Sequence, residues 1–133
     1  MPLGEKDIAK LGVAGLCAIK KAAVNVADVH DDLRFNSEVK ARDAESGYRT
    51  RQALAMPLLS GITGGLVGVV EVTNKLQPDG SMDEQAKFGA DDELALSAIM
   101  PVVSLAFENT QLRARVAEYE ASRTAAQSTY SLQ

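Results

Sequence analysis

Two aliphatic segments near the middle of the chain favour β-structure and are joined by a run of turn residues. Residues 50–59 and 66–73 are rich in aliphatic side chains, and the connection at 60–65 contains three glycines. Apolar runs bounded by glycine are typical of strands, and a connection this short favours a hairpin. Pro57 has no backbone N–H, so its strand is predicted to lie near a sheet edge or to bend there.

Helical periodicity is found on both sides of this hairpin. The N-terminal segment, residues 6–20, carries apolar or small residues at helical spacing: Ile8, Leu11, Ala14, Gly15, Ala18 and Ile19. The segment from Asp91 onward begins with acidic residues that suit a helix N-terminus. It continues with an apolar stripe: Leu94, Ile99, Val102, Leu105, Leu112, Val116 and Tyr119. Pro101 predicts a kink or break of this helix around Met100.

The remaining segments complete an α+β pattern. Val24–Val26 is a short strand candidate, 28–46 suits a functional loop or a short surface helix, and 74–87 is a polar loop. A chain of 133 residues has the length of one domain. We predict an antiparallel sheet flanked by N- and C-terminal helices, with one domain over residues 1–122. The Ser-, Thr-, Ala- and Gln-rich segment 123–133 is expected to be a flexible tail.

Composition argues against several classes of protein. The net charge of −4 gives no reason to expect nucleic-acid or anionic-membrane binding. The longest uncharged run, 52–70, contains Pro57 and four glycines and is too interrupted to cross a membrane. The N-terminus lacks the pattern of a secretory signal. The single cysteine, Cys17, permits no internal disulfide and is expected to be a small core residue, so a cytoplasmic location is predicted.

The single histidine makes a metal hydrolase or a Ser-His catalytic site hard to assemble. His30 lies among Asp28, Asp31 and Asp32, with no second histidine or cysteine nearby. We interpret it as a solvated loop residue. The sequence therefore predicts no catalytic residue, no metal site and no cofactor.

Glu71 is the one carboxylate within the second strand candidate. It shares a face with Val67, Val69 and Thr73, because side chains alternate along a strand. A carboxylate there either points to water or accepts hydrogen bonds from a ligand in a pocket. Its position alone leaves both interpretations open.

Charged residues frame the polar loop that follows this strand. Asn74-Lys75 is followed by twelve residues, then Phe88, three residues, and Asp92-Glu93, so a lysine at one end of the loop can pair with a carboxylate at the other. This order resembles the N-K-(x)n-F-x3-D-E signature of GAF domains that regulate cyclic-nucleotide phosphodiesterases and adenylyl cyclases. Five further segments resemble the same family in the same order: 12–15 (GVAG), 25–28 (NVAD), 32–36 (DLRFN), 47–51 (GYRTR) and 56–58 (MPL).

The resemblance implies a regulatory domain, not an enzyme, that binds cGMP or cAMP beneath a mobile lid formed by residues 28–46. By position, the implied ligand-binding residues are Val13, Ala14, Asn36, Asp43, Ser46, Thr50 and Glu71. It further implies that Lys75 and Asp92 pair to brace the lid without touching ligand, supported by Asn74, Phe88 and Glu93. The phosphodiesterase or cyclase catalytic region of such proteins has no counterpart in this sequence.

Three departures from the family pattern are visible. Only eleven residues precede Gly12, where the family has a helix and two strands, so these elements are expected to be missing. About three extra residues lie between Phe35 and Gly47, and Leu33 replaces a common proline.

The last helix carries a heptad pattern with a and d positions at Val102, Leu105, Asn109, Leu112, Val116 and Tyr119. This stripe either packs on the domain's own sheet or forms a parallel homodimer with a second copy, as the resemblance to tandem GAF proteins implies. The leading prediction is a cyclic-nucleotide sensor that signals through lid closure and this helix. The alternative is a ligand-free GAF dimerisation module. A third class, a small redox enzyme of the GAF type, is disfavoured by the single cysteine.

Overall fold

The structure, a computed structural model, describes residues 5–83 and 85–131 and contains three helices and three strands within them. In chain order these are α1 (Glu5–Lys20), β1 (Val24–Val26), α2 (Asn36–Ser46), β2 (Ala53–Leu59), β3 (Leu66–Thr73) and α3 (Ala90–Ser131). The predicted α+β class, the central hairpin and the flanking helices are confirmed. The side chain of Ile8, predicted to face the core, lies outside the described residues.

The strands form one antiparallel sheet in the order β1-β2-β3. Strand β1 pairs only with the first residues of β2, with Val24 opposite Ala55, whereas β3 pairs along the whole of β2. Pro57 lies opposite Val69 of β3 and beyond the end of β1. The strand with the proline is therefore central in the sheet, but the proline itself has a strand neighbour on one side only, which its missing N–H requires.

Helix α1 covers one face of the sheet, and α2, called the lid helix because it lies within the segment 28–46, packs against α1. The core between them contains Val13, Leu16, Cys17, Val24, Val26, Val29, Phe35, Val39, Ala53 and Ala55. Cys17 is fully buried, as predicted. The predicted inner face of α1 is wrong in part, because Leu11 and Ile19 are exposed while Val13 and Leu16 are buried. Gly12 is the reason: its φ of 68° and ψ of −168° interrupt the helix, so the spacing of a continuous helix does not apply across it.

Helix α3 packs on the opposite face of the sheet. Met100 is buried against Met56 and Leu58, and Leu96 and Val103 pack against the same cluster. The buried Ser104 hydroxyl donates to the backbone oxygen of Leu59 at 2.7 Å. These contacts hold the helix against the sheet over its first four turns.

The break predicted at Pro101 does not occur, and α3 runs through it from Ala90 to Ser131. Pro101 lies on the exposed side of the helix. The carbonyl that loses its helical hydrogen bond there can be hydrated, which lowers the cost of the proline. The helix also extends into the segment 123–133, for which flexibility remains a prediction.

The apolar stripe predicted from the sequence does not pack on the sheet. Its members are all more than half exposed, from 52% at Ile99 and Leu112 to 69% at Val102. Of the two alternatives left open for the stripe, packing on the domain's own sheet is therefore contradicted. Leu96, Met100, Val103 and Ser104, which lie on the other side of the helix, occupy that contact instead.

We predict that Phe35→Ala lowers the free energy of unfolding by about 3–5 kcal/mol, because Phe35 is fully buried in the α1–α2 core. Leu33→Ala is the matched control, since Leu33 is two residues away and 88% exposed. Urea unfolding followed by circular dichroism measures both. Equal losses of stability in the two variants would contradict this core assignment.

Candidate functional site

A small cavity lies between α1, α2 and β3. Its volume is about 90 Å³, and its lining residues are Leu11, Gly12, Val13, Ala14, Val29, Val39, Arg42, Thr50 and Glu71. Four of the seven residues predicted to bind ligand therefore line one cavity: Val13, Ala14, Thr50 and Glu71. Asn36, Asp43 and Ser46 do not line it.

The polar lining of this cavity has both charge signs. Glu71 from β3 and Arg42 from the lid helix both line it and are both exposed to solvent. Helical geometry in α1 resumes at Val13 after the interruption at Gly12. The start of a helical segment presents unpaired N–H groups and the positive end of the helix dipole, which favours an anion. The cavity thus offers groups that suit an anion as well as an acceptor for N–H or hydroxyl groups.

Asp43 is a buried residue of the lid helix, and Arg42 and Thr50, which line this cavity, are its chain neighbour and its hydrogen-bond partner. One of its oxygens accepts hydrogen bonds from His30 Nε2 and the Thr50 amide, both at 2.7 Å, and the other accepts from Thr50 Oγ1 at 2.9 Å. Burial raises the pKa of Asp43, but the bonds from His30 and Thr50 outweigh this and leave the pKa below its usual value. We call His30, Asp43 and Thr50 the Asp43 cluster.

This cluster corrects the interpretation of His30. The residue predicted to be a solvated loop histidine is 9% exposed and bonded to a buried carboxylate. Both oxygens of Asp43, which is predicted as a lid contact for ligand, accept hydrogen bonds within the protein. Its bonds fasten the lid helix to Thr50, just ahead of β2. His30 and Asp43 are thirteen positions apart, and nothing in the sequence around His30 indicates that Asp43 is its partner.

The other two predicted lid contacts lie at the ends of α2. Asn36 is the first residue of the helix, and its backbone N–H donates to the Asp32 carbonyl at 2.9 Å. The Ser46 hydroxyl bonds the Asp43 carbonyl at 3.4 Å and accepts from the Tyr48 amide at 3.3 Å. Gly47 ends the helix in the left-handed conformation with φ of 73°. In this conformation both residues shape the helix ends.

The predicted ion pair between Lys75 and Asp92 is present. Lys75 Nζ lies 2.6 Å from Asp92 Oδ2, which also accepts a hydrogen bond from the Gly89 amide at 2.8 Å. The bond from Lys75, followed by that from Gly89, lowers the pKa of Asp92. The pair joins the end of β3 to the first turn of α3 and closes the polar loop between them.

Asn74 is the buried member of the signature. Its φ of 56° is left-handed, a conformation that asparagine tolerates better than most residues. Its side-chain amide donates to Tyr48 Oη and to the Arg49 carbonyl, both at 2.8 Å, and its oxygen accepts from the Arg51 amide at 2.7 Å. Asn74 therefore fixes the segment that connects the lid helix to β2.

Phe88 and Glu93 are reached from β1. Asn25 Nδ2 donates to the Phe88 carbonyl at 2.7 Å and to Glu93 Oε1 at 2.8 Å. These bonds tie the short edge strand to the start of α3. In the sequence, Asn25 is visible only as a member of the segment 25–28, and nothing there indicates these bonds.

Gln52 is a further functional residue that sequence reasoning missed. It is 2% exposed, accepts from the Lys75 amide at 3.0 Å, and donates to the carbonyls of Asp83, at 2.9 Å, and Ala86. Its side chain supplies the backbone of the polar loop with partners that secondary structure does not provide. A polar residue at the start of an otherwise apolar strand is the signal that could have identified it.

The thiol of Cys17 is fully enclosed by the α1 core. Burial raises its pKa, and the negative charge of Glu71 raises it further. Within residues 5–83 and 85–131, no group of three or more potential metal-ligating side chains is found. No helix in that part of the chain has the length and apolar character needed to cross a membrane.

The chain is similar to known proteins in sequence and in fold. No family model matches it. It is 33% identical over 101 residues to the dual 3′,5′-cyclic-AMP and -GMP phosphodiesterase 11 of Drosophila melanogaster, a match that covers 76% of this chain and 6% of that protein. Its fold is similar to the GAF domain from a phosphoenolpyruvate-protein phosphotransferase of Coxiella burnetii, with a TM-score of 0.57 and 19% identity over 88% of this chain and 64% of the other.

A second solved structure has a similar fold. The GAF domain from an Acinetobacter phosphoenolpyruvate-protein phosphotransferase matches with a TM-score of 0.56 and 17% identity, covering 78% of this chain and 51% of that one. The chain belongs to the GAF domains, and its sequence is similar to a region of cyclic-nucleotide phosphodiesterases. It spans 6% of the length of the phosphodiesterase it matches.

We predict that Asp43→Asn destabilises the domain by about 1–3 kcal/mol at pH 7, because it weakens the bonds from His30 and Thr50. Since the pKa of Asp43 is lowered in the folded state, its contribution is present above the ordinary aspartate pKa of about 3.9. It is lost as the pH falls through the folded-state value. The stability difference between the parent and Asp43→Asn should therefore shrink below about pH 4.

Urea unfolding at pH values from 3 to 7 measures this effect. Asp31→Asn is the control, because Asp31 is exposed and directly follows His30 in the chain. The comparison with Asp43→Asn separates this carboxylate from Asp32 and Asp92, whose pKa values are also lowered. A stability difference that persists unchanged at pH 3 would contradict the assignment.

Proposed function

We propose that this GAF domain is a regulatory sensor that binds a cyclic nucleotide, cGMP or cAMP, in the cavity between α1, α2 and β3. The observation that carries the proposal is the convergence of Val13, Ala14, Thr50 and Glu71 on this cavity. They come from three distant parts of the chain, and the family resemblance implies a ligand contact for each of them. The similarity to a phosphodiesterase named for cyclic AMP and cyclic GMP supports the same ligand class.

The chemistry of the lining suggests how each part of a cyclic nucleotide is received. The cyclic phosphate carries one negative charge and lies at the start of the helical segment that follows Gly12, with Arg42 as a mobile counter-charge. Glu71 accepts hydrogen bonds from the base or the ribose. Thr50 contributes through its place in the Asp43 cluster, since its hydroxyl already donates to Asp43.

The size of the cavity makes lid movement part of binding. Its volume of about 90 Å³ is well below the roughly 300 Å³ at the lower end of small-molecule sites. The lid helix α2 carries Val39 and Arg42 into the cavity wall, so its displacement enlarges the site. Binding therefore selects a conformation in which the Asp43 cluster is rearranged or shifted, which is a population shift.

The lid is connected to α3 through the signature residues. Asn74 holds the segment after α2, and the adjacent Lys75 pairs with Asp92 in the first turn of α3. In the proposed function, lid movement reaches α3 by this route. The output is a change in how α3 presents itself to a partner.

We expect calorimetric titration of the folded chain with cGMP and, separately, cAMP to detect binding of at least one of them. Glu71→Gln and Arg42→Gln should each weaken that binding by roughly tenfold, since each removes one charge-assisted contact. Glu45→Gln is the matched control, because Glu45 is an exposed acid on the lid helix that does not line the cavity.

The result that contradicts the proposal is no heat with either nucleotide from a chain shown to be folded by circular dichroism. Binding that Glu45→Gln weakens as much as Glu71→Gln does would place the ligand elsewhere.

A second function, homodimerisation through α3, is favoured by one specific observation. The heptad positions Val102, Leu105, Asn109, Leu112, Val116 and Tyr119, here called the outer stripe, are all exposed. An apolar stripe of this length on a helix needs a partner to remove it from water. We propose a second copy of the chain as that partner.

We expect sedimentation velocity to show a concentration-dependent dimer. Val116→Glu should shift it towards monomer, because a charge is placed in the middle of the stripe. Ala114→Glu should leave the equilibrium unchanged, since Ala114 lies on the opposite side of the same helical turn. A purely monomeric chain at all accessible concentrations would contradict dimerisation.

A further inference from the structure

Strand β3 lies at an edge of the sheet. Within residues 5–83 and 85–131 it pairs with β2 alone, from Leu66 to Thr73. Helices α1 and α3 contact both strands, and most residues of β2 are buried. The valines of β3 are only partly buried: Val67, Val69, Val70 and Val72. The difference follows from the position of β3, because one of its long sides has no neighbouring strand.

The register of the hairpin shows which backbone groups of β3 point away from β2. The Asn74 N–H donates to the Gln52 carbonyl at 3.0 Å, so these two residues form a hydrogen-bonded pair that continues the β2–β3 ladder. Hydrogen-bonded and non-bonded pairs alternate along an antiparallel ladder. The N–H and C=O groups of every second residue therefore point to the free side: Val69, Glu71 and Thr73. Among the described residues, no hydrogen bond to these groups is found.

An extended polypeptide is the partner whose chemistry fits this row of groups. Three residues at a spacing of two present three donors and three acceptors in one line, over roughly 13 Å. A second strand matches all six groups at once, because its own N–H and C=O groups recur at the same spacing.

The edge of β3 lacks the features that commonly keep a strand edge from pairing. Residues 66–73 contain no lysine and no proline. The register shift of the hairpin lies between Leu58 and Leu59 of β2, away from the partners of 69–73. Lysine, proline and bulges on an edge hinder the addition of another strand. This eight-residue strand is therefore open to strand addition along 69–73.

The side chains of β3 define the sequence that an added strand needs. Glu71 is the only charged residue of β3, and it shares a face with Val69, which packs on the core beneath α1. Val70 lies on the opposite face and packs in the cluster beneath α3. A strand with a basic residue beside Glu71 and apolar residues beside Val70 and Val72 complements both faces.

We infer that β3 is an interaction surface that binds an extended segment of a partner protein as a fourth strand of the sheet. The segment alternates basic and apolar residues, and its backbone hydrogen-bonds to Val69, Glu71 and Thr73. This interaction goes beyond nucleotide sensing and uses no residue of the outer stripe.

Amide hydrogen exchange, followed by NMR, tests the free edge. The amides of Val69, Glu71 and Thr73 should exchange at least about tenfold faster than those of Val70 and Val72, which donate to β2. Slow exchange at all five residues, independent of chain concentration, would show that the chain itself covers the edge and would overturn the inference. Protection that grows with chain concentration would identify a second copy as the occupant and would overturn it equally.

A synthetic peptide supplies the probe strand. An acetylated and amidated nonapeptide of alternating lysine and valine, at about 1 mM, should slow exchange at Val69, Glu71 and Thr73 by about tenfold. The same peptide with every backbone nitrogen methylated is the control, because it keeps the side chains and cannot donate to β3. Failure of the first peptide to protect these amides, or equal protection by both peptides, contradicts strand addition.

Thr73→Pro blocks the edge from the side of the protein. It removes an N–H that points away from β2, and its ring lies in the path of an added strand while the bonds to β2 remain. Protection of Val69 and Glu71 by the peptide should be lost. Thr73→Val keeps the N–H and should bind the peptide within about twofold of the parent. A Thr73→Pro chain that is folded by circular dichroism and still binds the peptide as the parent does would overturn the inference.

Discussion

The buried carboxylate of Asp43 is the interaction on which the candidate site depends. It joins the lid helix to Thr50 through hydrogen bonds. The donors are His30 Nε2 and the backbone amide and hydroxyl of Thr50. A carboxylate in such a place is stable only while each oxygen keeps its partners. The lid helix is therefore held by a carboxylate whose two oxygens both depend on their hydrogen-bond partners.

Residues 50–52, which lead into β2, are joined by hydrogen bonds to other parts of the domain. Thr50 holds the lid, the Arg51 amide donates to Asn74, and the Gln52 side chain supports the polar loop before α3. Three consecutive residues thus contact two separate segments, the lid helix and the polar loop 74–87. Because these bonds share one short stretch of backbone, a displacement of the lid changes the positions of the groups that brace the loop and, through Lys75, the first turn of α3. This provides a physical path between the cavity and the long helix.

Helix α3 forms a wall of the domain and also has a second apolar face. Its inner face, centred on Met100, removes apolar area of the sheet from water, while the outer stripe stays exposed. When a helix has two apolar faces, its hydrophobic periodicity reveals the more regular face and obscures the other. The structure shows that the more regular pattern is the one the domain does not use for its own core.

Most of the secondary-structure elements and the family could be predicted from the sequence. Apolar runs set the hairpin, the spacing of acidic and apolar residues set α3, and the order of Asn74-Lys75, Phe88 and Asp92 indicated a GAF domain, since these are local or ordered features of the chain. Tertiary structure alone decided which faces are buried and which polar groups meet. His30 reaches Asp43, and the break at Gly12 turns Val13 inward, because long-range packing and a single left-handed glycine act where no periodicity can report them.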